Sequence, residues 1–290
     1  MPMADRWPGW HLTGTLLAPV TPDPSVPGAV KRIPETLASL AVPRPGSGAL
    51  RLTDHDVRMA LNPSSAPAVD TPFSWSARTA RRALGLAAVR ALVSGEVRSP
   101  TDGVRVALAR ATRVNEGQRP TSTMDRWLAG LTPAARAAVT AEAVTWATRL
   151  SGALDWTAFE TPPTIGRDHW WDSPHSSLLA LRSRAEVRAI STDAHGQAVS
   201  VHLVLLGGRR RPSARAELSV VALVEALRTR DPLGPGRVVG WWPDSGHLVS
   251  VGVDRCTLEA GVAAVARTLG AEGPAPATPV PHQGGIRAAA

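Results

Sequence analysis

The strongest constraint on this chain is the order of elements written into residues 178–269. Two runs with strand-like alternation, 182–190 and 199–206, are separated by the turn residues Asp193-Ala194-His195-Gly196. A helical stretch over 213–230 follows. A second pair of runs, 237–242 and 247–253, is joined by Pro243-Asp244-Ser245-Gly246, and a closing helix is expected over 257–269. Strand pair, helix, strand pair, helix is the signature of an α/β unit. Its second turn explains itself: Pro243 ends the strand and Gly246 supplies the positive φ such a hairpin requires, so Asp244 needs no chemistry.

Upstream, the character changes. Residues 1–48 hold much of the proline, together with Trp7 and Trp10, and read as a Pro-rich, extended or partly ordered arm. Residues 49–160 read as a helical region. Thr53-Asp54-His55-Asp56 opens a short helix, and Ser76 or Thr79 caps the next, which stops at Ser94-Gly95. Another helix starts at Ser99 or Thr101 and runs to about Arg113. Thr132-Pro133 supplies an N-cap and first-turn proline for a helix that stops near Ser151-Gly152. The α/β core then occupies 161–270, and 271–290 is expected to be a disordered tail.

Composition narrows the function classes. The hydrophobic fraction, 43%, supports a real core in a chain of 290 residues. A single cysteine, Cys256, excludes a disulfide framework and a four-cysteine iron–sulfur cluster within one chain. The start of the chain lacks the pattern of a signal peptide, and no uncharged apolar run spans a bilayer, so the expectation is a cytoplasmic protein without a membrane partner. The net charge is +8, carried almost wholly by arginine, since Lys31 is the one lysine. Codon usage in a GC-rich genome accounts for that bias. So does a surface for phosphates, which arginine clamps bidentately with release of counterions.

The α/β segment resembles the catalytic domain of RecB-type exonucleases of the PD-(D/E)XK superfamily, actinobacterial members in particular. The stretches that carry the resemblance are Ser183-Arg184-Ala185-Glu186, Val204-Leu205-Leu206-Gly207-Gly208-Arg209 and the helix Ala216-Glu217-Leu218 to Arg228, followed by the Asp-Ser-Gly turn. The resemblance implies an α+β fold, a helical N-terminal region followed by a core of two strand pairs with intervening and closing helices. It also places Glu186 in a metal-ligand position. The departures matter more. Metal-dependent phosphodiester cleavage needs carboxylates converging on a hard cation, with a lysine beside it. Here the second carboxylate position is Val204, the lysine position is Leu206, and the tyrosine of the family helix is Val221. Arg209 offers charge but not the compact ammonium of lysine.

The expectation is therefore a degenerate nuclease-like protein that holds nucleic acid, DNA in preference to RNA, or serves as an accessory subunit of a DNA-processing or defence assembly containing a nuclease or helicase. Arg209, Arg210, Arg211 and Arg215, between the strand and the following helix, are the first nucleic-acid candidates. Arg78, Arg81, Arg82 and Arg90, on one side of one helix, are the second; a solvated face accounts equally for that group. No cofactor is expected in this reading. In the alternative, a nuclease with migrated ligands, Glu186, Glu217 and Asp172 hold Mg²⁺ or Mn²⁺. A third reading is a protein-interaction scaffold using Trp7 and Trp10. Each carboxylate has a structural explanation: Glu217 complements a helix N-terminus, and Glu186 meets Arg184 and Arg188 on its own strand. The junction 165–175 gathers Asp168, His169, Asp172 and His175, which are metal-competent but fit no finger spacing; Trp170 and Trp171 as anchors of a polar turn are the other reading.

Overall fold

The computed structural model describes residues 9–41, 50–62, 74–113, 123–193, 195–228 and 235–270. Within them the chain is a mixed α and β protein. Its first half contains α1 (Gly9–Leu17), α2 (Val26–Leu40), β1 (Leu50–Leu52), α3 (Asp54–Leu61), α4 (Ala77–Val93), α5 (Pro100–Arg113), α6 (Thr123–Ala129) and α7 (Pro133–Ala153). The second half contains β2 (Thr164–Asp172), β3 (Leu179–Thr192), β4 (Ala198–Leu205), α8 (Ala214–Arg228), β5 (Pro235–Trp242), β6 (His247–Gly252) and α9 (Arg255–Thr268).

Local chemistry sets many of these boundaries. Thr53 and Asp56 cap α3 reciprocally, as Ser76 and Thr79 cap α4, each pair satisfying two orphan amides. The Thr132 hydroxyl accepts from the Ala135 amide at 3.2 Å, with Pro133 in the first turn of α7. After α4 the chain turns at Gly95, whose φ of 74° costs little only for glycine.

The arm expected to be extended or partly ordered holds two helices, α1 and α2, in its described part. Val26, Ala29, Ile33 and Leu37 are all buried along one face of α2, at a spacing of three and four. Pro27 sits in the first turn, where its missing N–H is harmless; Pro34 interrupts the interior at a cost of about 3 kcal/mol. Burying Val26, Ile33 and Leu37 returns roughly 1.5–3 kcal/mol for each side chain. The apolar face therefore outweighs the prolines. Trp7, the side chain of Trp10 and the tail 271–290 lie outside the described residues.

One six-stranded mixed sheet runs in the order β1-β3-β4-β5-β6, with β2 on the other edge of β3. The hairpins β3–β4 and β5–β6 are antiparallel, β4 and β5 are parallel, and α8 makes the crossover between them. The junction expected to be a turn is strand β2, paired with β3 from Thr164↔Arg188 to Asp172↔Ala180. Helices cover both faces. On one side α2, α3, α8 and α9 pack with Val204, Leu206, Val238 and Trp242. On the other, α1, α4, α5 and α7 pack with Val187, Val201, Leu203 and Trp241. Trp241 and Trp242 thus face opposite layers, and both are buried.

Strand β3 changes layer along its length, with residues of the same parity serving different cores at its two ends. Its residues Leu179 and Leu181 belong to the α8/α9 core, whereas Val187 and Ala189 belong to the α4/α7 core. On the edge away from β2 it pairs with β1 at 179–181 and with β4 only from Val187 onward. Between those contacts, residues 182–186 have no described strand beside them on that edge, and the sheet is split.

Candidate functional site

The split is filled by Glu186, whose relative exposure is 1%. One carboxylate oxygen, Oε2, accepts the Leu205 amide at 2.7 Å, where β4 has peeled away from β3. The other, Oε1, accepts from Arg184 Nε at 3.1 Å and from the Arg82 guanidinium. The same Arg82 nitrogen donates to the Leu205 carbonyl at 2.8 Å. Arg82 comes from α4, so one guanidinium joins the helical half to both strands at the split. Burial pushes its pKa below the ordinary value, and the Glu186 charge opposes that shift. The expected pairing of Glu186 with Arg188 does not occur; Arg188 turns instead to Glu225 of α8 at 2.9 Å.

In front of this pair opens a cleft with a cavity volume of about 30 Å³. Arg58, Arg82, Arg182, Arg184, Asp54 and Glu217 are its charged lining, over an apolar floor that includes Val204 and Leu206. Asp54 pairs with Arg182 at 3.1 Å, and the Arg182 guanidinium also lies 5.7 Å from the Trp170 ring centroid. Glu217 faces Arg211 in a two-point contact, 3.0 Å on each branch, and accepts the Ser213 hydroxyl at 2.7 Å. Burial raises its pKa, but these donors outweigh it and hold the carboxyl below its usual range.

The sequence candidates separate into different jobs. Arg209 and Arg210 are exposed on the loop after β4, and Arg215 is exposed on the first turn of α8. Arg78 is also exposed, its guanidinium against Gly207 of that loop. These form one basic rim. The remaining arginines of α4 do not share a solvated face. Arg81 pairs with Glu142 of α7 at 3.2 Å, Arg82 points to the split, and Arg90 donates to the Ile165 and Gly166 carbonyls of β2 at 3.0 and 2.8 Å. Asp172 does not reach Glu186: its register partner Ala180 lies six residues away along β3, roughly 20 Å at the rise of a strand. Asp172 and His175 are exposed, and the side chains of Asp168 and His169 lie outside the described residues.

A hard cation requires oxygens with free lone-pair directions converging on one point. Among the described residues no three His, Cys, Asp or Glu side chains form such a group. The Glu186 carboxylate and the Leu205 carbonyl do converge, but on Arg82. Glu217 is directed to Arg211 and Ser213 instead. The donor set therefore does not fit a divalent ion while Arg82 is in place.

A second buried polar cluster was not expected from the sequence. Glu225, on the apolar face of α8, accepts from Ser183, from Arg188 and, at 3.1 Å, from Arg228, with His202 Nδ1 at 3.9 Å. Burial, the largest influence, raises its pKa. The charges of His202 and Arg188 and the hydrogen bonds of Arg188 and Ser183 prevail, and it lies at about 2. The signal available in sequence was a glutamate inside the run Val220-Val221-Ala222-Leu223-Val224-Glu225-Ala226, where a lone charge demands partners.

No helix among the described residues is long and apolar enough to cross a membrane. No family model matches the sequence, and no curated protein matches it.

Proposed function

We propose that this chain is a nuclease-like protein that holds nucleic acid without cutting it, acting alone or as the accessory subunit of a DNA-processing assembly. The observation that carries the proposal is the position of Arg82. Its guanidinium takes up the Glu186 carboxylate and the Leu205 carbonyl, the two oxygens here on which a cation would have to sit. A fixed guanidinium supplies positive charge beside a phosphate but activates no water, because it neither coordinates an oxygen nucleophile nor deprotonates.

Other features support the same reading. The hairpins β3–β4 and β5–β6, with α8 between them and α9 after, follow the order of the RecB-type PD-(D/E)XK core. Val204 and Leu206 form part of the apolar floor where that core carries a carboxylate and a lysine. The rim of Arg78, Arg209, Arg210 and Arg215 borders the loop between β4 and α8, giving a phosphate backbone charged donors to follow.

The test is equilibrium binding of fluorescent single- and double-stranded DNA and RNA at several salt concentrations, with wild type and an Arg209→Ala, Arg210→Ala double variant. Binding that weakens steeply with salt, and further in the variant, is the expected result, with DNA bound more tightly than RNA. Absence of binding at low salt would refute the nucleic-acid reading and turn the search to protein partners.

A further inference from the structure

We infer that the cleft at the sheet split is a seat for a single phosphoryl group, recognised by Arg58 of α3 and Arg82 of α4; the inference rests on the nucleic-acid reading only in what carries that group.

Charge is the first reason. Among the carboxylates at the cleft, Asp54 is paired with Arg182, Glu217 with Arg211, and Glu186 with both Arg82 and Arg184. Arg58 also lines the cleft and forms no ion pair among the described residues; its guanidinium meets the ring of His55, at 2.9 Å. Among the described residues, Arg58 thus adds to the cleft a positive charge that no ion pair takes up. Unspent donors are the second reason. Arg82 Nε is buried and has no hydrogen-bond partner among the described residues, although the terminal Nη2 of that guanidinium is engaged. A buried N–H without an acceptor costs about 1–3 kcal/mol, so the Arg82 guanidinium gains by turning towards an oxyanion that enters the cleft.

Size selects the ligand. At ~10–15 Å³ for each water-sized group, a cavity of about 30 Å³ takes about two or three such groups. That suits the leading oxygens of one phosphoryl group and is too small for a nucleoside. The same volume leaves no room for a strand threaded through the cavity. What enters is an end: the terminal phosphate of a nucleic acid, or the phosphate of a free nucleotide, with the remainder directed outward towards Arg209 and Arg210. A terminal monoester also brings more charge, about −1.5 to −2 against −1 for a diester, to a place with positive charge to spare.

The experiment compares one oligonucleotide bearing a terminal phosphate with the same oligonucleotide bearing hydroxyl ends, by competition and direct titration, and adds inorganic phosphate and a nucleoside monophosphate as competitors. The phosphorylated form should bind about tenfold more tightly, the worth of a charge-assisted contact. Inorganic phosphate should erase that difference in the wild-type protein, and Arg58→Ala should abolish it. The Arg209→Ala, Arg210→Ala variant should weaken both oligonucleotides alike. Stronger displacement by the mononucleotide than by unlabelled phosphorylated oligonucleotide would assign the seat to a free nucleotide. Equal, salt-sensitive binding of the two oligonucleotides, unaffected by inorganic phosphate, would overturn the seat and leave the nucleic-acid reading standing. Binding of phosphate and mononucleotide with no oligonucleotide binding would support the seat and overturn the nucleic-acid reading.

Discussion

Arg82 of α4 donates to the carboxylate of Glu186 in β3, 104 residues further along the chain, and both oxygens of that carboxylate are engaged. A buried acid held in this way is stable only as part of its network. Desolvation of Glu186 is offset by two guanidinium groups and one backbone amide together, and those bonds join the helical half of the molecule to the split edge of the sheet.

Removing one partner should therefore be expensive. Arg82→Gln is expected to destabilise the fold by about 3–5 kcal/mol, towards the lower end because Arg184 and the Leu205 amide remain on Glu186. Adding Glu186→Gln should recover part of that loss. Urea denaturation of the two single variants and the double variant checks both statements. A double variant whose cost equals the sum of the singles would mean that the two groups are not coupled.

The Glu225 cluster predicts a pH dependence with a definite sign. Its folded pKa, about 2, lies below the ordinary 4.5, so the charged form is favoured by folding. The resulting stability, on the order of 3 kcal/mol, is fully present above the unfolded pKa. It is lost progressively as pH falls from about 4.5 through 2. Denaturation midpoints from about pH 6 to about pH 2 should fall steeply in wild type, and this component of the slope should vanish in Glu225→Gln. An unchanged slope would remove Glu225 as its source.

Two glycines give opposite expectations for the same substitution. A Cβ at Gly261 of α9 would lie 2.6 Å from the Ser219 carbonyl oxygen and 2.9 Å from Leu223 Cβ, so Gly261→Ala forces α8 and α9 apart. Overpacking of that kind costs about 1–3 kcal/mol. At Gly14, within α1, a Cβ would meet nothing within 4 Å. Gly14→Ala should be neutral or stabilise by up to about 1 kcal/mol through helix propensity. Thermal melts of the two variants decide this: a destabilised Gly14→Ala or a tolerated Gly261→Ala would contradict the described packing.

Salt dependence separates the rim from the cleft. If Arg209 and Arg210 each meet a phosphate, their joint replacement by alanine should lower the slope of log affinity against log salt by about 2, near 0.9 for each phosphate left without its arginine. Arg81→Ala, which breaks a surface pair with Glu142 of α7, should leave the slope unchanged. A slope that changes equally in both variants would mean that charge acts diffusely, with no defined path.

Much of the second half of the fold was legible because period-two runs and turn residues bracket β3, β4, β5 and β6, and a long apolar helix separates the hairpins. The three residues of β1 are too few to show a period, and they are held by pairing with Leu179, Ala180 and Leu181 far along the chain. In β2 the polar run Arg167-Asp168-His169 obscured a strand that exists through its pairing with β3. For α2 the proline content masked the buried spacing of Val26, Ala29, Ile33 and Leu37. At the site, sequence indicated that a charge inside a strand needs a partner, and it correctly offered Arg184. It could not offer Arg82, because nothing local marks a bond made across 104 residues by the splitting of a sheet.

The most direct test is to incubate the protein with labelled single- and double-stranded DNA in EDTA and, in parallel, in Mn²⁺, reading affinity and product length from the same samples. With Arg82 occupying the space between Glu186 and the Leu205 carbonyl, binding should be equally tight and salt-sensitive in both, and the DNA should keep its length. Shortening that appears only with Mn²⁺ and disappears in Glu186→Gln would contradict the account.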